Sequence, residues 1–408
     1  MNSNKMDDQF IEGSGLRKLT RLTKYTDPMR FNSVDEHLRP LFSEIKAHKA
    51  SDVYIMEGYP VSVLVKGVLY GVTWRTIDRG ESQFFLQHIA GQSALSNISE
   101  QKAINTTYGL FDEDKSKKNL SGHRVQDTYR VNASGIMKQG ILSFELVLRS
   151  IPADPLHFSE IGLTEEFVRL CCPSMGIIYI AGVTGSGKST TLSSIIRYAL
   201  QNDTPIKGNI LTHEDPIEFT YNNIISHHSI VAQSQIPECF KDFRAANREA
   251  MRRKPAAIIV GEIRDTESVK SAIEASITGH PVFATVHAAS VTKVLSRLVS
   301  QFDKAEQTKA LFEIISSTAG IIAQRLVPTV NNKLMAVQEY VFFTKNIRDE
   351  LYKQQSERDI NLILSELIEK RPANPNIFVS PSFSHQGKTL FESGVITENG
   401  LRILTAED

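Results

Sequence analysis

The chain of 408 residues has one tryptophan, three cysteines and a formal net charge of zero. It also lacks any uninterrupted apolar run of about 18 residues, the length needed to cross a bilayer as a helix. Each scarcity removes a class of protein. Cys171 and Cys172 are adjacent, Cys239 is remote, and no Cys-x-x-Cys spacing occurs. That argues against a disulfide framework or a zinc site and suits a reducing compartment. Forty-six basic residues balance 46 acidic ones. The balance gives no global electrostatic footprint for nucleic acid or an anionic membrane, so direct nucleic-acid binding is not expected. Residues 1–30 are polar and carry charges of both signs, unlike a signal peptide. The expectation is a cytoplasmic protein with no transmembrane segment, reaching a membrane only through partners. Hydrophobic residues at 41% and charged residues at 23% are ordinary for a globular chain long enough for two or three domains.

Residues 1–35 read as a flexible tail without clean periodicity. Residues 36–149 read as an α+β domain. Leu38–Ile45 has helical spacing, 52–57 and 61–66 read as strands, 69–72 completes a hairpin, 83–90 is helical, and 128–132 and 141–148 alternate like paired strands. Pro152 and Pro155 mark a linker at 150–160. From 161 to 345 the apolar runs 177–181, 209–212, 256–260 and 281–286 alternate with helical stretches. This is the pattern of an α/β domain built on a mainly parallel, buried sheet. Residues 346–408 read as a helical C-terminal region interrupted by a polar, proline-bearing stretch at 372–384.

Gly182-Val-Thr-Gly-Ser-Gly-Lys-Ser189 fits the phosphate-binding pattern GxxxxGK[ST], with an apolar strand before it and a helix after it. Glycines at 182, 185 and 187 let the backbone curl so that several amides face one phosphate, and the helix start adds a field that favours anions. The nucleotide-binding set is therefore Gly182, Thr184, Gly185, Ser186, Gly187, Lys188, Ser189 and Thr190. Lys188 is expected on the β- and γ-phosphates and Ser189 on Mg²⁺.

Two acidic groups follow at the C-terminal ends of apolar runs, the edge where open α/β sheets bind ligands. One is Glu214, Asp215 and Glu218 within Thr212-His-Glu-Asp-Pro-Ile-Glu218. The other is Glu262, after Ala257-Ile-Ile-Val-Gly261. Glu214, Asp215 and Glu262 join Ser189 as expected metal ligands. His280 and His287 bracket a further strand, and His287 is placed to sense a γ-phosphate. Arg244, Arg248 and Arg252 are spaced as one stripe on a helix, facing solvent, a neighbouring subunit or nucleic acid.

The order GVTGSGKST, THEDPIEF, VGEIRD, TGHPVFATVH resembles the Walker A, Asp box, Walker B and His box of the type II/IV secretion ATPases, the VirB11/PilT superfamily. SDVYIMEG at 51–58, TYRVN at 128–132 and LRSIP at 148–152 resemble flanking segments of that family. Segments 231–243, 248–262 and 324–343 look closer to its type IVB branch of DotB-like and TraJ-like ATPases. His213 stands where the Asp box of PilT-like members has Ile. The resemblance implies a RecA-like P-loop core, a smaller PAS-like N-terminal domain and a homo-hexameric ring that hydrolyses ATP with Mg²⁺. It also implies inner-membrane secretion or conjugation components as partners. By similarity, Glu218 acts as general base, Glu262 holds Mg²⁺ through water, and Arg130 and Arg149 act as arginine fingers. A pilus retraction motor and a nucleic-acid translocase are the alternatives, the second disfavoured by the zero net charge.

Overall fold

The computed structural model describes residues 10–111, 126–151, 154–354, 356–370 and 377–406. Parts of the expected tail (1–9), of the linker (152–153) and of the polar C-terminal stretch (372–376) lie outside the described residues. The chain divides into two compact units, Met1–Ala153 and Asp154–Asp408.

The first unit carries strands β1 (Arg17–Lys18), β2 (Asp52–Met56), β3 (Ser62–Val65), β4 (Val68–Gly71), β5 (Ile104–Phe111), β6 (Gln126–Lys138) and β7 (Ile141–Ile151). They form one sheet in the order β1-β4-β3-β2-β7-β6-β5. Every pair is antiparallel except β1 with β4. Val53, Ile55, Val63, Leu146 and Leu148 alternate with more exposed residues, so one sheet face is buried, packed with Leu38, Leu41, Phe85 and Leu86 from the helices. Leu38 ends the helical turn Val34–Leu38, the helix Arg39–Ala47 that follows brings Leu41 to the sheet, and Arg79–Ala90 brings Phe85 and Leu86. The second helix opens with a capping box, Asp78 accepting from the Glu81 amide while the Glu81 carboxylate accepts from the Asp78 amide. The Glu81 carboxylate also takes the Arg75 guanidinium at 2.6 Å and the Phe31 amide at 2.9 Å. From Phe10 onward, the segment expected as a tail is packed. Ile11, Leu19, Tyr25 and Phe31 are buried, and Leu22 and Thr23 donate their amides to the buried Glu44 carboxylate. These apolar residues are too widely spaced to show a period, yet Leu19, Tyr25 and Phe31 join the buried core of the first unit.

The second unit is an α/β core of RecA-like type. Its strands are β8 (Gly176–Ala181), β9 (Gly208–Glu214), β10 (Ser229–Gln235), β11 (Pro255–Val260), β12 (Pro281–Val286), β13 (Thr318–Pro328) and β14 (Leu334–Phe342), in the order β10-β9-β11-β12-β8-β13-β14. All neighbours are parallel except the β13–β14 hairpin. Odd and even residues of the same strands enter two different cores. Ile177, Tyr179 and Val282 pack on one face, Ile178, Ile180 and Phe283 on the other. Burial on both faces is why these strands read as continuous apolar runs rather than alternating ones. Among its described residues the C-terminal region supplies four helices, Lys345–Tyr352, Glu357–Lys370, Phe383–Glu392 and Glu398–Thr405. Their apolar residues Leu351, Ile360, Leu364, Phe383 and Leu404 join the first core.

Candidate active site

Because β8, β9, β11 and β12 are parallel, the segments that leave their C-terminal ends emerge at one edge of the sheet. Those segments are the glycine-rich loop after β8, the Glu214–Glu218 turn after β9, Glu262 after β11 and His287 after β12. Topology thus gathers all four motifs at one place in the second unit.

The loop needs its glycines. Gly185 and Gly187 have φ of +79° and +83°, the left-handed region that side chains disfavour. A Cβ on Gly182 would sit 2.7 Å from the Gln324 carbonyl oxygen. The loop runs into the helix Lys188–Gln201, whose start has no side-chain cap, so its first amides remain available to an anion. Lys188 Nζ donates to the carbonyls of Gly182 at 2.8 Å and Val183 at 3.0 Å. Burial lowers the pKa of this ammonium, while the charges of Glu262 and Glu218 act in the opposite sense. Ser186 is 2% exposed, and its hydroxyl has no partner among the described residues. This curled backbone with an available helix start, a lysine over it and an unpartnered hydroxyl fits a bound phosphate.

The acidic residues differ in environment. Glu262 accepts from Arg264 Nη2 at 2.6 Å through one oxygen, and its other oxygen lies 3.2 Å from His287 Nε2. Arg264 also approaches Asp215 at 3.7 Å. His287 has its pKa lowered, first by burial and then by the nearby Lys188, with Glu262 opposing. Glu214 points into the protein, accepting from Thr212 Oγ1 at 2.7 Å and Gln233 Nε2 at 3.1 Å. Burial raises its pKa above the usual carboxylate value, although hydrogen bonds from Thr212, Gln233 and the Glu218 amide partly compensate. His280 lies beside Thr278 Oγ1 at 3.2 Å, before β12 rather than at the motif edge. No group of three His, Cys, Asp or Glu residues able to hold a metal occurs among the described residues. Mg²⁺ on a nucleotide keeps several waters and takes only one or two protein ligands besides phosphates, so Ser189 with water-linked carboxylates fits its chemistry.

Arg130 and Arg149 lie in the first unit, directly paired across β6 and β7. Arg149 Nε donates to Asp52 Oδ1 at 2.7 Å, and Asp52 is the residue facing Arg149 across β2. The expected stripe Arg244, Arg248, Arg252 is broken. The helix runs Phe243–Ala250, so Arg252 falls in the 3-10 turn Met251–Arg253 that follows. Its arginines meet acids, Arg244 with Glu267 at 3.2 Å and Arg252 with Glu249 at 2.7 Å. Sequence reasoning missed Arg264, Gln233 and Gln324. Gln324 was findable as the one polar residue between the apolar stretches Ile321–Ala323 and Leu326–Val327 that is followed by a charge.

The sequence profile of the family described as "Type II/IV secretion system protein" matches residues 130–376. The chain belongs to the type II/IV secretion system protein family. Among solved structures, the ATPase DotB of Yersinia pseudotuberculosis is similar, at 41% identity and a TM-score of 0.75, covering 96% of this chain and 98% of that one. DotB of Legionella pneumophila is similar at 31% identity and a TM-score of 0.78, covering 93% of this chain and 97% of that one. The type IV pilus retraction ATPase PilT of Pseudomonas aeruginosa is 36% identical over 256 residues, 61% of this chain and 72% of the relative. Within the family the chain is a DotB-like ATPase. No helix among its described residues is long and apolar enough to cross a membrane.

Proposed function

We propose that the chain hydrolyses MgATP and that a homo-hexameric ring of it drives a type IVB secretion or plasmid conjugation machine at the inner membrane. The observation that carries the ATPase reading is the convergence at one sheet edge of the glycine-rich loop, Lys188, Glu218, Glu262 and His287. The type IVB assignment is favoured by likeness to two DotB ATPases along nearly the whole chain.

In this reading the amides of the loop and of the helix start bind the phosphates, with Thr184, Gly185, Ser186, Gly187 and Thr190 lining them. Lys188 leaves its two carbonyls to neutralise the β- and γ-phosphates. Ser189 and, through water, Glu262 would hold Mg²⁺, which supplies charge neutralisation on the phosphate oxygens. Asp215, 3.7 Å from Arg264, would join that water shell. Glu214 is assigned a supporting role there, because its hydrogen bonds and burial tie it to the interior. Glu218 orients the attacking water and takes its proton. His287, whose Nε2 lies 3.2 Å from Glu262, reports the state of the γ-phosphate. Arg130 and Arg149 supply positive charge to the transferred phosphoryl group, an effect worth about 10³–10⁵ in rate where such arginines act.

The test is a phosphate-release assay on Lys188→Ala and Glu218→Ala. Both should lose at least about 100-fold in turnover, Lys188→Ala through weaker nucleotide binding and Glu218→Ala with binding retained. Undiminished hydrolysis in both variants would refute the assignment. A pilus retraction motor is the second reading, favoured by the 36% identity to PilT. Co-purification with an integral pilus platform protein, rather than with a secretion coupling complex, would select it.

A further inference from the structure

Gln324 lies on β13, 1% exposed, beneath the glycine-rich loop. Its Nε2 donates to the Ser186 carbonyl at 2.7 Å. Its Oε1 accepts from Thr191 Oγ1 at 2.7 Å and from Gln338 Nε2 at 3.1 Å. One buried amide therefore ties the tip of the loop to the first turn of the helix that follows it, and is itself braced from β14. Both ends of the loop also rest on this residue. A Cβ on Gly187 would meet Gln324 Nε2 at 3.0 Å, and one on Gly182 would meet the Gln324 carbonyl oxygen at 2.7 Å. A buried primary amide is costly unless its hydrogen bonds are made. Here they are made to the loop.

We infer that Gln324 is a positioning residue for nucleotide binding, holding the Ser186–Gly187 peptide so that its amide is aimed at the phosphates. The inference rests on the reading that this loop binds phosphate. A trans peptide is planar, with C=O and N–H pointing in opposite directions. Pinning the Ser186 carbonyl toward β13 directs the Gly187 N–H away from the sheet, to the side where the helix start presents its uncapped amides. The anchor matters most when nucleotide arrives. Lys188 then leaves the carbonyls of Gly182 and Val183, and that half of the loop loses its ammonium tether. The bond from Gln324 acts on the other half and does not compete with phosphate. Preorganised donors bind better than donors that must be ordered at the moment of binding.

The test uses the full chain with Gln324→Leu and Gln324→Asn, titrated with MgADP by calorimetry, alongside thermal melts without nucleotide. Gln324→Leu should raise the Kd about tenfold, which corresponds to about 1.4 kcal/mol. Gln324→Asn, one carbon short of the loop, should raise it by a similar amount. A role confined to packing would lower the melting temperature and leave the Kd of the folded protein within twofold of the parent, and that result overturns the inference. If Gln324→Leu does not fold, Thr191→Val decides. It deletes only the hydroxyl that orients the amide, and a rise in Kd of about threefold supports positioning, whereas an unchanged Kd overturns it. Failure of the parent chain to bind MgADP would instead strike the phosphate-loop reading itself.

Discussion

His213 stands on β9 one residue before Glu214, wholly buried, where PilT-like Asp boxes carry isoleucine. Its Nδ1 lies 2.7 Å from Asn247 Oδ1. An amide oxygen only accepts, so Nδ1 bears the proton and Nε2 the lone pair. Nε2 has no partner among the described residues, and the Phe240 ring packs beside the imidazole at 6.0 Å. A second proton on Nε2 would be a buried charge with no acceptor. Burial accordingly holds the pKa below the ordinary 6.5; the bond to Asn247 opposes this, and the charge of Arg253 adds to it. The sign follows from proton counting. Below pH 6.5 the unfolded chain binds a proton at this site that the folded chain refuses, so the stability His213 contributes is fully present above 6.5 and is lost as pH falls. The loss is at most about 1.4 kcal/mol per pH unit, until the folded-state pKa is reached. For a unit of the size of Asp154–Asp408, that corresponds to about 3–5 °C in melting temperature per pH unit. The assay is a pair of thermal melts at pH 7.5 and 5.5 on the parent and on His213→Ile. The parent should lose more than the variant between the two values, by at most about 3–5 °C. His213→Ile leaves Asn247 without its partner, so absolute stability at pH 7.5 is not diagnostic, and only the pH dependence is. Parallel shifts in the two proteins would refute the reasoning.

Tyr179 is fully buried with a hydroxyl that has no partner among the described residues. Tyr179→Phe should therefore raise stability by about 1 kcal/mol, measured by denaturant melts. Glu81→Ala removes a buried carboxylate bound to Arg75 and to the backbone amides of Phe31 and Asp78, and should destabilise the first unit by about 3–5 kcal/mol. The carboxyl pKa of Glu81 is lowered against its burial by Arg75 and backbone donors, so its contribution is present above the ordinary carboxylate range and is lost as pH falls below it. Gly261→Ala would put a Cβ 2.9 Å from the His213 carbonyl oxygen and 3.2 Å from Glu214 Cα, between the two acidic motifs. Turnover in a phosphate-release assay should fall about 10–100-fold, because backbone must move where the carboxylates are placed.

How far the sequence could be read depended on whether a residue's partner was local. The glycine-rich loop was legible because its geometry is fixed within eight positions, and Gly185 and Gly187 do take the left-handed conformations that motif requires. The parallel strands were legible because burial on both faces leaves an apolar run with no alternation to misread. The β13–β14 hairpin lacked that signal, since Gln324, Gln338 and Glu339 interrupt its apolar residues. Each is explained only by a remote partner: the loop at Ser186 and Thr191 for Gln324, the Gln324 amide itself for Gln338, and the amides of Val291 and Phe383 for Glu339. The packed segment after Phe10 was hidden for the same reason, its few apolar residues answering to a sheet edge far along the chain. The arginine stripe failed through a local feature instead. Lys254 takes a positive φ before Pro255, which ends the helix a turn earlier than even spacing suggests and drops Arg252 from the row. Around the site, sequence marked the groups proposed to meet a nucleotide but not those that meet each other. Arg264 on Glu262 and Asp215, and Gln233 on Glu214, link motifs that are far apart in the chain. Such links are set by strand order, and a strand order of β10-β9-β11-β12-β8 cannot be recovered from one strand at a time.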